Sequence, residues 1–138
     1  MNKKIFTTLF VLIFLTFTTS IAQASDEPLF VTITTEWCST CKQLKPVLEE
    51  LENQYSGQVN FLTLNPSTKE LLEESRQKAE EYGIVEFFEK NKSVAPTVGI
   101  LCPDGKKVDK VFIGEINIET YEHALDELLS DSNTICSL

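Results

Sequence analysis

The stretch Trp37-Cys38-Ser39-Thr40-Cys41-Lys42 carries most of the information about the fold and chemistry of this chain. Two cysteines three positions apart can close a disulfide within one helical turn. Because the ring is small, the disulfide stabilises a fold weakly. An aromatic residue before the pair and a lysine after it suit a redox site. The motif predicts thiol–disulfide exchange, with an inert disulfide and a metal site as competing interpretations.

Hydrophobic patterning places the motif between a strand and a helix. Residues 29–34 are β-branched and partly alternating, which is typical of a strand. Apolar residues then recur at helical spacing and predict a helix from about Cys38 to Tyr55, ended by Gly57. Pro46 lies inside this helix and predicts a kink near its first turns.

The rest of the chain predicts three more strands and two more helices. The strands are residues 59–64, 97–101 and 108–113. One helix opens at the capping-box pattern 67–70 and runs to about Tyr82, and the last runs from Ile118 to about Leu129. Residues 84–93 are ambiguous and fit a further helical turn or two. The order β-α-β-α-β-β-α predicts an α/β fold with a four-stranded mixed sheet, flanking helices and the motif at the sheet edge.

The N-terminus has the pattern of a secretory signal peptide. Lys3 and Lys4 precede a mostly apolar run, residues 5–21, and a small-x-small site ends at Ala24. We expect residues 1–24 to be a signal peptide cleaved near Ala24, which leaves residues 25–138 as one domain. The competing interpretation is an uncleaved anchor, since about 17 mostly apolar residues approach membrane-spanning length.

Charge and cysteine content limit the classes of partner and the cellular compartment that fit this chain. The chain has 12 basic and 21 acidic residues, a formal net charge of −9. Such a surface disfavours nucleic acid and anionic membranes as partners. The four cysteines of an exported chain indicate an oxidising compartment, so we expect a periplasmic or otherwise exported protein.

Several motifs together resemble the exported members of the thioredoxin-fold family, over essentially all of residues 25–138. The matching positions are the 37–42 motif, Pro46, Tyr82-Gly83-Ile84, Ala95-Pro96-Thr97, Asp104-Gly105 and Gly114. The resemblance implies a thioredoxin-like fold and a protein thiol–disulfide oxidoreductase that uses no organic cofactor and no metal. It also implies that the Ala95–Pro96 bond is cis and lies beside the disulfide.

The resemblance and the chemistry of exchange assign the candidate site residues. Cys38, at a helix N-terminus where unpaired amides favour a thiolate, is the expected attacking catalytic residue, and Cys41 is the expected resolving one. Trp37, Ala95 and the Pro96-Thr97 pair are the expected substrate-binding residues, with the Ala95 backbone pairing with an extended substrate.

The chain departs from thioredoxins at several positions. Ser39-Thr40 replaces Gly-Pro or a histidine-containing pair, which favours a reductant over a strong oxidant. Thr32 and Thr63 take the places of a buried acid and its lysine partner, while the N-terminal strand and helix of full thioredoxins are absent. The connection 84–96 is longer than in thioredoxins and is either a specificity element or a spacer.

The remaining cysteines, Cys102 and Cys136, are both expected at the end of the domain far from the redox edge. We predict a structural disulfide between them, with two free thiols or a second redox pair as alternatives. His123 is expected on the surface, and the sequence supplies too few further ligands for a metal site.

These features predict an exported oxidoreductase that exchanges disulfides with cysteine-containing exported proteins. A reductant in that compartment would need electrons from a membrane donor. The alternatives are a thioredoxin-fold binding or assembly module whose two motif cysteines are not essential and, third, a metal chaperone.

Overall fold

The computed structural model describes residues 26–137, so the predicted signal peptide, residues 1–24, lies outside the described residues. Eight elements follow one another. They are β1 (Leu29–Ile33), α1 (Ser39–Gln54), β2 (Asn60–Leu64), α2 (Lys69–Glu81), α3 (Val85–Asn91), β3 (Thr97–Leu101), β4 (Val108–Ile113) and α4 (Ile118–Ile135). The predicted fold class is confirmed, and the ambiguous segment 84–93 contains a helix of its own, α3.

The sheet has the strand order β2-β1-β3-β4. β1 pairs in parallel with β2 and antiparallel with β3, and β3 pairs antiparallel with β4. All five residues of β1 are buried because this strand is internal and helices cover both faces of the sheet. The α1 helix begins directly after the loop that follows β1, which places its N-terminus at the edge of the sheet.

Alternation along β1 divides the core into two clusters. Phe30 points to the cluster shared with α1 and α4, where its ring contacts Tyr121 edge-on at a centroid distance of 5.5 Å. Val31 points to the opposite cluster, shared with α2 and α3. Each face of the sheet is therefore covered by two helices, and α3 belongs to the core rather than to a solvated loop.

Phe87 and Phe88 anchor α3 in the second cluster, with 4% and 0% of their surfaces exposed. The Phe87 ring lies directly over Gly99 in β3, where a Cβ atom would be 2.4 Å from Cζ of the ring. Gly99 thus leaves the space in which the inserted helix packs.

The helix ends differ from the prediction in two places. The residue that caps α2 is Thr68, whose Oγ1 accepts a hydrogen bond from the Leu71 amide at 3.2 Å, whereas Ser67 lies before the helix and bonds elsewhere. The last helix extends beyond Leu129 to Ile135, across a non-helical residue at Asp131. Its final turn is held by Lys107 Nζ, which donates to the Ile135 carbonyl. Such a long-range contact has no local sequence signal.

Within residues 26–137, no helix has both the length and the apolar surface that crossing a bilayer demands.

Candidate redox site

The site is built at the N-terminus of α1. Cys38 is the N-cap residue, with an extended backbone, and its Sγ accepts a hydrogen bond from the Cys41 amide at 3.1 Å. The two cysteines form a disulfide with a Cα–Cα distance of 5.2 Å. A sulfur at an N-cap faces the unpaired amides of the first turn, which stabilise negative charge on it. The local fold therefore favours Cys38 as the thiolate.

The two sulfurs differ in access. Cys38 is half-buried at the surface, whereas Cys41 is only 7% exposed and packs one turn into the helix. Thiol–disulfide exchange requires that the attacking sulfur be reachable. The arrangement therefore suits Cys38 to attack an external disulfide and Cys41 to act afterwards within the molecule.

A surface groove lies beside Cys38. The residues that line it include Trp37, which is 69% exposed, and Lys92, Ser93 and Ala95. The structure thus brings Trp37, Cys38 and Ala95 together in one groove. It also places two further residues of the 84–96 connection, Lys92 and Ser93, in the same groove.

Pro96 and Thr97 lie behind the groove and are buried. The Ala95–Pro96 peptide bond is cis. Thr97 Oγ1 donates to the Val94 carbonyl at 2.8 Å, and the Gly114 amide donates to the Pro96 carbonyl at 3.0 Å. These bonds hold the chain on both sides of Ala95, so Pro96 and Thr97 support the groove wall without lining the groove.

A hydrogen-bond network that sequence analysis missed supports the loop before Cys38. Ser67 Oγ accepts from the Glu36 amide at 2.9 Å, and Asn65 Oδ1 accepts from the Ser67 amide at 3.0 Å. The Asn65 amide in turn donates to Ser75 Oγ at 2.9 Å. The loop between β2 and α2 therefore holds the segment that carries Trp37. The turn chemistry of Asn65-Pro66-Ser67 was the one available signal.

The region behind Cys41 contains hydroxyl groups at the two positions that the family resemblance assigns to a buried acid and its lysine partner. Thr32 is 2% exposed and pairs in register with Thr63, which is exposed on the edge strand β2. Both residues line a cavity of about 620 Å³ that also reaches Cys41. Lys45 and Glu49 line the same cavity, so ionisable side chains are present there on α1 rather than on the strands.

The other two cysteines form a second disulfide at the distal end of the domain. Cys102 follows β3, at the end opposite Thr97, and Cys136 caps α4. Their Cα atoms are 5.6 Å apart, and Cys102 is only 1% exposed.

Among the described residues, no group of three or more His, Cys, Asp or Glu side chains is arranged to hold a metal ion, and His123 is exposed.

Comparison with known proteins identifies the family. The thioredoxin family profile matches residues 10–127. Thioredoxin 1 of Nostoc sp. (strain PCC 7120) is 31% identical over 105 residues, which cover 76% of this chain and 83% of that protein. The chain therefore belongs to the thioredoxin family.

Two further relatives are named as chloroplastic thioredoxins. The M-type protein of Brassica napus is 30% identical over 110 residues, which cover 80% of this chain and 53% of that protein. Thioredoxin M4 of Arabidopsis thaliana is 31% identical over 105 residues, which cover 76% of this chain and 46% of that protein. The chain thus spans about half the length of these two relatives.

Among solved structures, oxidised thioredoxin O2 of Arabidopsis thaliana matches with a TM-score of 0.52 and 19% identity, covering 75% of this chain and 76% of that one. This likeness concerns the fold alone.

Proposed function

We propose that this chain is a protein thiol–disulfide oxidoreductase that works through Cys38 and Cys41. The observation that carries the proposal is the pairing of an accessible N-cap sulfur, Cys38, with a buried partner one turn later. Membership of the thioredoxin family supports the same chemistry.

Acting as a reductant, the dithiol form transfers two electrons in two exchange steps. The Cys38 thiolate attacks one sulfur of a substrate disulfide, so that a Cys38–substrate bond forms and the substrate S–S bond breaks. The leaving sulfur departs as a thiolate and takes a proton from water. Cys41 then loses its proton and attacks Cys38 Sγ, which forms the Cys38–Cys41 disulfide and releases the second substrate sulfur as a thiolate.

The groove beside Cys38 would position the substrate for this attack. The Ala95 backbone is the proposed pairing partner for an extended substrate segment, with the exposed Trp37 ring as the opposite contact. Pro96 and Thr97 contribute by holding that wall, through the bonds to Gly114 and Val94.

A trapping experiment tests the exchange mechanism. In Cys41→Ser, the second step is blocked, so a disulfide-bonded test protein should accumulate as a mixed disulfide with Cys38, visible on non-reducing gels. The matched control Cys38→Ser should form no adduct. Adducts from Cys38→Ser, or none from Cys41→Ser at concentrations where the wild type reduces the test protein, would contradict the proposed roles.

We propose that the preferred direction is reduction, because Ser39-Thr40 places no histidine between the cysteines. Equilibration with dithiothreitol and glutathione buffers measures the midpoint potential. We expect a value closer to about −270 mV than to about −120 mV, the two ends of the thioredoxin-like scale. A midpoint near the upper end would identify an oxidant instead.

We also propose export, with cleavage near Ala24, cysteine-containing exported proteins as substrates and a membrane protein as electron donor. The support is the pattern of residues 1–24: two lysines, an apolar run and a small-x-small site. N-terminal sequencing of protein recovered from the exported fraction should begin at Ser25. Recovery of the intact N-terminus in the cytoplasm would contradict this proposal.

A docking or assembly role without exchange is the second candidate. Exposed apolar side chains at the redox edge, Trp37, Val94 and Ile113, would serve a binding surface equally well. Full biological activity of the double variant Cys38→Ser/Cys41→Ser would favour this function over catalysis.

A further inference from the structure

The C-terminal end of α3 is held firmly against the redox groove. The Lys92 amide donates to the Phe88 carbonyl at 2.8 Å, and Asn91 Nδ2 donates to the Phe87 carbonyl at 2.7 Å. Since both phenylalanines are buried in the core, the residue that follows the helix has a fixed backbone position. Lys92 therefore enters the groove wall as part of a rigid element.

Lys92 is the one lysine, arginine, aspartate or glutamate among the described residues that line this groove. Glu36 and Lys42, close to the cysteines in sequence, line the cavity that reaches Cys41 instead. The groove beside Cys38 thus presents a cation, although the chain as a whole has a formal net charge of −9.

Ion pairs set the position of the Lys92 amine. Its Nζ contacts Glu89 Oε2, while Glu89 Oε1 accepts from Arg76 Nε on α2 at 3.0 Å. An ammonium group has three donor hydrogens, so the contact with Glu89 leaves two for another acceptor. The Lys92 side chain is 28% exposed, which keeps that capacity available to a ligand in the groove.

We infer that Lys92 determines substrate preference, by pairing with a carboxylate close to the reacting cysteine of the substrate. This inference rests on the proposed exchange function and specifies its substrate class: polypeptides whose exposed cysteine has an acidic neighbour. According to this inference, the 84–96 connection is a specificity element, and its helix α3 also packs in the core.

A pair of peptides tests this inference. Each contains one cysteine as a mixed disulfide with methanethiol, and they differ only in a Glu or a Gln two residues from it. Trp37 is the single tryptophan of the chain, so its fluorescence can follow oxidation of the adjacent Cys38–Cys41 pair. The proteins compared are the reduced wild type, Lys92→Gln and Lys90→Gln. Lys90 lies on α3, two residues before Lys92, but lines the cavity toward β4, so it is the matched control.

We expect the wild type to reduce the Glu peptide about twofold to fivefold faster at low salt, as for an exposed ion pair. Lys92→Gln should abolish that preference, Lys90→Gln should retain it, and added salt should diminish it. Equal rates with both peptides in the wild type, or an unchanged preference in Lys92→Gln, would overturn the inference while leaving the exchange function intact. Failure of the wild type to reduce either peptide would overturn both.

Discussion

Gly99 shows how much a single residue decides in this fold. It lies in β3 beneath the Phe87 ring, with no room for a Cβ atom. In the sequence, Gly99 is an isolated glycine within a strand, which signals a close approach without saying by what. The structure identifies the approaching group as the inserted helix α3, whose other end reaches the redox groove.

Substitution of this glycine should therefore loosen α3. We expect Gly99→Ala to lower the free energy of unfolding in guanidinium by about 1–3 kcal/mol, the usual cost of overpacking a core. Adding Phe87→Leu to Gly99→Ala should recover part of the loss, because the smaller side chain makes room for the new methyl group. A stability equal to that of the wild type in Gly99→Ala would show that the Phe87 ring moves without cost.

The cysteines illustrate what is predictable at the residue scale. The position of Cys38 at the start of a helix followed from the patterns on either side of it, because both patterns are local. The support given to the preceding loop by Ser67 did not, since this hydrogen bond joins residues 31 positions apart. The capping-box pattern places the cap of α2 at Ser67, whereas in the structure Thr68 is the cap.

At the scale of elements, α2 and α3 are joined by the exposed ion pair between Arg76 and Glu89, and Glu89 also pairs with Lys92 at the end of α3. The hydrogen bond from Lys92, and then that from Arg76, lower the pKa of the Glu89 carboxyl below its ordinary value of 4.5. A carboxyl whose pKa is lower in the folded state stabilises that state above its unfolded pKa. This contribution is lost as the pH falls through the folded pKa.

A pH series of unfolding measurements tests this link. At low salt, the wild type should be more stable than Glu89→Gln above about pH 5, and the difference should shrink as the pH falls below the ordinary carboxyl pKa of 4.5. Glu86→Gln is the control, because Glu86 lies on the same helix and has no ion pair among the described residues. A pH-independent difference for Glu89→Gln would contradict this account.

At the scale of the whole molecule, the two disulfides lie at opposite ends of β3 and differ in what they join. The Cys38–Cys41 pair borders the groove, whereas Cys102 is buried and its bridge ties the end of α4 to the end of β3. We propose that the distal bridge is structural, because it joins two elements of the fold and its Cys102 half is buried, which leaves only the half-buried Cys136 for a reductant to attack.

Thiol counting by mass spectrometry tests this separation. Mild reduction followed by alkylation of the native protein should label two cysteines, Cys38 and Cys41, while denaturation before reduction should expose all four. The double variant Cys38→Ser/Cys41→Ser should remain unlabelled under the mild condition. Simultaneous labelling of four cysteines in the native wild type would indicate that the distal pair is a second exchangeable site.

The sequence by itself determined the strands, the main helices, their order and the place of the cysteine motif between β1 and α1. These features depend on periods of two and of 3.6 residues and on caps and turns, all of which are read within a few neighbouring residues. Family motifs added the pairing of Cys38 with the Ala95–Pro96 segment.

Only the tertiary structure decided which distant side chains meet. The burial of α3 over Gly99, the support of Glu36 by Ser67 and the placement of Lys92 in the groove beside Cys38 all join separate parts of the chain. Such contacts depend on how helices cover the two faces of a sheet, and no local pattern specifies them. The redox pair is thus encoded locally, whereas the groove that would select its substrate exists only after the chain has folded.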